Sequence, residues 1–307
     1  MHIFGPVPSR RLGLSLGVDL LKGKSCNLNC VYCELGRSLQ LVNERQIFVN
    51  TQEVLAEVRE FFTKGGVTDY VTISGSGEPT LALNLGEVIE GIRGLTDKKI
   101  ALITNGALLY DAAVRREAAK ADLVMPSVDA VTQAVYIKVN RPHGNLKLDK
   151  VVEGLKTFGK EYKGAIWVEV MVVNGINDTN EEMLEIKKVL DEIPTIERIQ
   201  INTVVRSRAE TYADPVTDAR LVEIKNIFGK KAEVIGTYKP GNIVKVDNLL
   251  ATITEAVARR PMTIEDLAET YSAEISDIRE GLKVLEKQGK IKIEKMGQKE
   301  FYVSAQK

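Results

Sequence analysis

Short runs rich in Val and Ile alternate with amphipathic helical patterns from the N-terminus to about Phe228. That alternation limits the chain to a parallel β/α architecture. Strands are expected at Leu14–Leu21, Tyr70–Ser74, Ile100–Thr104, Leu123–Ser127, Ile166–Val173 and Arg198–Val204. Helical apolar spacing falls at Thr51–Phe62, Leu85–Leu95, Leu108–Ala119, Val151–Glu161, Glu181–Leu190 and Asp218–Phe228. Strands without polar alternation are expected to be buried on both faces. Six β/α units predict an α/β fold with an open, partial (β/α)6 barrel rather than a closed eightfold one.

In such a barrel the loops at the carboxyl ends of the strands form the active face. Each of these ends carries polar or glycine residues. They are the loop after strand one, Gly75-Ser76-Gly77-Glu78-Pro79, Asn105-Gly106, Ser127-Val128-Asp129, Asn174-Gly175-Ile176-Asn177-Asp178 and Asn202-Thr203. Each cluster also has an ordinary structural use. Gly75 and Gly77 suit a tight turn, Asn105-Gly106 is a common turn pair, and Ser127 or Asp129 suits a helix cap. Their recurrence at the same end of successive strands points to a site.

A change of pattern follows. Gly236–Asp247 reads as a linker between a core domain at 1–235 and a smaller domain at 248–307. The smaller one begins with an amphipathic helix over Leu249–Ala258. A short helix capped by Thr263 and a longer helix ending near Gly289 come next. Ile291–Glu294 and Glu300–Val303, joined through Met296-Gly297-Gln298, read as a hairpin. Three helices and a hairpin predict a winged-helix-like domain. Such modules often bind DNA through the third helix. Here that helix opens with Glu274, Asp277 and Glu280, which would repel phosphates, and the segment balances ten Lys or Arg against ten Asp or Glu. Docking of a protein or presentation of a substrate is an equal expectation, and DNA binding is left open.

The chain contains three cysteines, and all lie within one loop: Cys26, Cys30 and Cys33, spaced C-x-x-x-C-x-x-C. They suit a zinc ion completed by a fourth ligand. They suit better three irons of a four-iron cluster whose fourth iron stays open, given the motifs at the other strand ends. Neither histidine, His2 nor His143, is close in sequence. Lys plus Arg and Asp plus Glu are balanced at 42 each, so no global charge draws the chain to nucleic acid or an anionic membrane. No apolar run is long enough to span a bilayer, and no signal peptide is read at the N-terminus. The expected location is the cytoplasm, where thiols stay reduced.

With these motifs in this order, residues 1 to about 235 resemble the radical S-adenosylmethionine (SAM) superfamily. The resemblance implies that Cys26, Cys30 and Cys33 ligate a [4Fe–4S] cluster and are the catalytic cysteines. It implies that SAM binds the open iron and is cleaved reductively to a 5′-deoxyadenosyl radical, which abstracts a substrate hydrogen. Gly77, Glu78 and Pro79 match the segment that faces the SAM amino group, with Ser76 in place of the first Gly. Ser127 and Asp129 match positions for the SAM ribose, Asn105 and Asn174 further contacts, and Tyr32 and Val172 the adenine side. An electron donor such as a flavodoxin or ferredoxin is implied.

Gly5-Pro6-Val7-Pro8-Ser9-Arg10-Arg11-Leu12-Gly13, Ser74–Thr80 and Asn140-Arg141-Pro142-His143 resemble the wyosine-synthase-related branch, whose members modify a guanine in tRNA. That branch carries further cysteines for a second cluster, which this chain lacks. An RNA or a protein is the expected substrate. Arg10, Arg11, Arg141 and Arg206 read singly as solvated charges and together as a patch for an anionic substrate. A second reading is an iron–sulfur redox sensor whose winged helix regulates transcription.

Overall fold

In the computed structural model, residues 1–38, 40–206, 208–235, 249–259, 261–271, 273–296 and 299–305 are described. Eight strands form one sheet in sequence order: β1 (Ile3–Ser9), β2 (Gly13–Val18), β3 (Tyr70–Ile73), β4 (Lys99–Thr104), β5 (Leu123–Pro126), β6 (Ala165–Val172), β7 (Ile196–Thr203) and β8 (Ala232–Val234). β1 pairs antiparallel with β2, and every later pairing is parallel. β1 and β8 are the two ends of the order, so the sheet is open, as a partial barrel requires. Seven helices accompany it: α1 (Thr51–Thr63), α2 (Leu85–Arg93), α3 (Ala112–Ala118), α4 (Gln133–Val139), α5 (Leu148–Glu161), α6 (Asn180–Asp191) and α7 (Asp218–Phe228).

Alternation along the strands divides the core. Ile100 and Leu102 of β4 and Ile166, Val168, Val170 and Val172 of β6 join the large cluster shared with the helices. Ala101 of β4, with Leu12, Leu123 and Met125, makes a smaller cluster on the other face. Trp167, Glu169 and Met171 alternate with the helix-facing residues of β6 and therefore share that inner face. A strand that presents Val to its helices and Glu to its interior is built around something polar.

The six expected strands are present, and β1 and β8 flank them. The sequence reading passes over β1 because Pro6 and Pro8 interrupt its pattern. An edge strand with a bulge between Phe4 and Val7 tolerates both prolines. The helix expected at Leu108–Ala119 shortens to α3, because Asp111 accepts the Ala113 N–H and caps it there.

Beyond residue 248 come α8 (Leu249–Arg259), α9 (Ile264–Tyr271), α10 (Ile275–Lys287) and the antiparallel pair β9 (Ile291–Met296) and β10 (Lys299–Ser304). Ile253, Val257, Leu267, Ile278, Leu282 and Tyr302 form a core of their own. Thr263 accepts the Asp266 N–H at 3.1 Å, and Asp266 accepts the Thr263 N–H at 3.1 Å, a reciprocal cap at the start of α9. α8 and α9 lie beside β1. The expected linker at 236–247 and the hairpin turn at 297–298 lie outside the described residues.

Candidate active site

The cysteine loop is pinned to neighbouring loops at several points. On one side Ser25 pairs with Gly77, through Ser25 N–H to the Ser76 carbonyl at 3.1 Å and Glu78 N–H to the Ser25 carbonyl at 2.9 Å. On another, Leu28 pairs with Pro142, and the Asn29 and Val31 N–H groups reach the carbonyls of Asn140 and Val139. The Glu210 N–H closes on the Val31 carbonyl at 3.0 Å from the loop after β7. The loop therefore inherits its shape from the ends of β3, α4 and β7 rather than from its own propensities.

Two glycines make the first contact possible. A Cβ on Gly77 would stand 1.8 Å from the Ser25 carbonyl oxygen, and one on Gly75, at φ 146°, would stand 2.3 Å from Asp19 Cγ. Asp19 is buried, and it accepts both the backbone N–H (3.0 Å) and the hydroxyl of Ser76. That gives a structural use to the serine that departs from the expected Gly-Gly pair.

All three cysteines are free thiols and half-buried. Cys26 Sγ accepts the Leu28 N–H at 3.4 Å and Asn105 Nδ2 at 3.7 Å. Cys30 Sγ accepts Asn140 Nδ2 at 3.4 Å. Burial pushes the Cys26 thiol up to about 12, helped by Glu78, and raises Cys30, helped by Asp129. A thiolate here needs a cation at the sulfur to be stable.

The expected cofactor contacts turn out to be tied to one another. Glu78 is buried, and its oxygens accept Thr80 N–H (2.9 Å), Thr80 Oγ1 (2.6 Å), Thr104 Oγ1 (2.6 Å) and Asn105 N–H (2.6 Å). Burial raises its pKa against those donors. Asn105 Nδ2 donates to Asn27 Oδ1 at 2.8 Å besides Cys26, and its Oδ1 accepts Ala107 N–H. Asp129 is buried and accepts the Tyr32 hydroxyl, Asn140 Nδ2 (2.7 Å) and Met171 N–H (3.0 Å). Burial lifts it to about 6 against those hydrogen bonds. Tyr32 thus enters the frame through its side-chain hydroxyl. Ser127 is half-buried at the end of β5 and pairs with Glu169. Asn174 is exposed in the loop after β6, its N–H on the Asp214 carbonyl at 2.9 Å.

Sequence reading missed the connectors. Asn140 bridges Cys30 and Asp129. Asn177, fully buried, accepts Val173 N–H and donates to the carbonyls of Asp129 and Met171. Glu210 receives both Arg37 and Arg141. Glu169 was legible as a charge in an otherwise apolar strand; the others needed the tertiary pairing.

Beside the cysteine loop lies a small cavity of about 30 Å3, lined by Leu28, Asn105, Ser127, Asp129, Tyr136 and Asn140 among others. The Tyr136 hydroxyl is buried without a hydrogen-bond partner among the described residues. An orphaned hydroxyl in a space of that size can be met by a water or by one polar atom of a ligand.

A model of the "Radical SAM superfamily" matches residues 20–189. The chain belongs to the radical SAM superfamily. It is an enzyme, and its cofactors are a [4Fe–4S] cluster and SAM. It is 34% identical to a UPF0026 protein of Methanocaldococcus jannaschii, over 87% of this chain and 84% of that one. It is 37% identical to a UPF0026 protein of Synechocystis, over 78% and 93%. The chain is thus also a UPF0026 member, and these relatives fit the wyosine-related branch. A protein named GTPase Obg from Brachyspira hyodysenteriae is 33% identical over 95% of this chain, which spans only 44% of that protein's length.

Among solved structures, a radical SAM methyltransferase from Sphaerobacter thermophilus matches with TM-score 0.54 and 16% identity, over 74% of this chain and 67% of that one. The hydrogenase maturase HydG from Carboxydothermus hydrogenoformans matches at 0.53 and 13%, over 86% and 58%. These two share the fold. The redox-sensor alternative finds no support among the family or structural matches.

The residues fit the cofactors. Three half-buried thiols in one loop, two of them receiving N–H donors, suit cluster sulfurs. Among the described residues no three His, Cys, Asp or Glu side chains converge closely enough for a single metal ion. No described helix is long and apolar enough to cross a membrane.

Proposed function

We propose that Cys26, Cys30 and Cys33 hold the [4Fe–4S] cluster, and that SAM bound at its open iron is used to abstract hydrogen from an RNA or protein substrate. When bound, the two cofactors together supply reductive cleavage of the SAM sulfonium bond and a 5′-deoxyadenosyl radical. The protein supplies position and dryness. The observation that carries this reading is the convergence of the cysteine loop, the Gly77 backbone, Asn105 and Asp129 into one hydrogen-bonded frame around a cavity with an unpartnered Tyr136 hydroxyl.

Within that frame the residues divide by role. The Gly77 backbone, Ser127 and Asn174 are the proposed SAM contacts. Glu78, Asn105, Tyr32 and Asp129 act as positioning residues, because chain-internal donors and acceptors already use their polar atoms. Asn140 orients Cys30 and offers its sulfur an N–H, which stabilises negative charge there. The segment 248–307 is proposed to be a winged-helix-like substrate or partner domain joined to the core, 1–235, by 236–247. A small flavodoxin- or ferredoxin-type protein is the proposed electron donor, and the cytoplasm the proposed location.

The test is anaerobic reconstitution, reduction and quantification of 5′-deoxyadenosine. Product is expected from reduced wild-type protein with SAM and should rise when total RNA or a protein extract contains the substrate. An intact, reduced cluster that never yields it under any of these conditions would overturn the proposal.

A further inference from the structure

One arginine of the inner face makes no ion pair among the described residues. The β1–β2 turn folds onto this face, where Leu12 packs against Ala101, Leu123 and Met125. It carries Arg10 and Arg11 across to the opposite strands. Arg11 Nη1 pairs with Glu169 of β6 at 2.8 Å. Arg206, beyond β7, pairs with Glu34 at 3.1 Å, and Glu34 directly follows Cys33. Arg10 reaches only Asn202 Oδ1 of β7, at 3.3 Å, and no carboxylate lies within ion-pair distance of it among the described residues. Asn202 in turn donates to Glu169 at 3.2 Å. Three guanidiniums therefore face two contacting carboxylates. Asp266 of α9 and Glu169 attract Arg206 as well, at longer range.

An unpaired guanidinium in this position is costly. Burial, with the nearby Arg206 and Arg11, pushes Arg10 down to about 10 against the attraction of Glu34 and Glu169. An Arg fork with one N–H engaged on Asn202 retains donors for a bidentate contact with a planar or tetrahedral oxyanion.

We propose that Arg10, seconded by Arg206, binds an oxyanion of the substrate on the inner face beside the cysteine loop. The free N–H groups of the Arg10 fork match a carboxylate or a phosphodiester. Asn202 and Glu169 hold the two arginines of the turn in place, so the anion meets a preorganised fork. The Arg206–Glu34 pair ties this site to the residue after Cys33, which places the anchored substrate next to the cofactor loop. The assignment rests on the radical SAM reading for its catalytic meaning, but its binding chemistry stands apart.

The experiment uses full-length, cluster-reconstituted protein at fixed ionic strength, with ligand-detected NMR of two small probes, acetate and dimethyl phosphate. Specific binding of at least one probe over a chloride background is expected. Acetate alone marks a carboxylate substrate and dimethyl phosphate alone a phosphodiester. Arg10→Met should weaken the bound probe at least tenfold and Arg10→Lys less, because lysine keeps the charge but loses the fork. Circular dichroism checks that each variant is folded, and Arg206→Lys gives a second arm if Arg10→Met does not fold. No binding of either probe, or equal binding by folded Arg10→Met, would overturn the inference. SAM cleavage by unsubstituted protein without probe binding removes this site alone. Probe binding without SAM cleavage removes the radical reading alone.

Discussion

Cys30→Ala should yield a folded protein that retains no [4Fe–4S] cluster. The backbone of the loop survives the change, because the Cys30 carbonyl still accepts the Cys33 N–H and Asn140 still has Asp129 as a partner. Removing one half-buried sulfur should cost no more than about 1–2 kcal/mol of apo stability. The effect on the cluster is of another order. A cubane held by two thiolates has lost one of three cysteine bonds, and the chain has no fourth cysteine to replace it. Iron and sulfide per chain after anaerobic reconstitution should fall to background, together with 5′-deoxyadenosine formation. Iron content equal to wild type would show that Cys30 is not a ligand.

Gly77→Ala should have the second largest effect, and by a different route. The added methyl would meet the Ser25 carbonyl oxygen at 1.8 Å and its carbon at 2.5 Å, both backbone atoms that no rotamer change can move. Ser25 immediately precedes Cys26, so relief requires separating the β3 loop from the cysteine loop. That breaks Glu78 N–H to Ser25 and Ser25 N–H to Ser76. A loss of roughly 2–4 kcal/mol is expected, or a fall in Tm on the order of 5–15 °C for a domain of this size. Because Cys26 moves with Ser25, cluster occupancy should fall even below the new Tm. Scanning calorimetry of apo protein and iron analysis of reconstituted protein check the two parts. Gly77→Ala with wild-type Tm and wild-type iron would show that the loops are not locked together here.

Much of this was written in the chain. The strand-helix alternation, the six central strands and the polar strand ends could be read directly, because buried parallel strands and amphipathic helices leave strong patterns. What escaped depended on partners distant in sequence. α4 is seven residues long and includes Val135, Ile137 and Val139, which are poor helix formers. It forms because Glu182, 51 residues away from Val131, accepts the N–H groups of Val131 and Thr132 at its start. No local cap announces it. The edge strands were hidden by proline in β1 and by brevity in β8.

The site shows the same division. Cys26, Cys30, Cys33, Gly77, Glu78, Asn105 and Asp129 could be picked out by type and position. Their partners could not, because which oxygen meets which N–H is set by strand register and loop packing. Hence the hydrogen bonds that tie Glu78, Asn105 and Asp129, which read as cofactor contacts, to their neighbours were not foreseen. Arg10 was legible only as one basic residue among many until β6 and β7 placed Glu169 and Asn202 opposite it.

The central claim is that the three cysteines leave one iron open and that SAM occupies it. The most direct measurement is electron–nuclear double resonance on the reduced, reconstituted protein with SAM carrying 15N in its amino group. The account predicts a resolved coupling between the cluster electron and that nitrogen, absent when SAM is omitted. An intact, reduced [4Fe–4S] signal that is unchanged by saturating labelled SAM, with no nitrogen coupling, would contradict it.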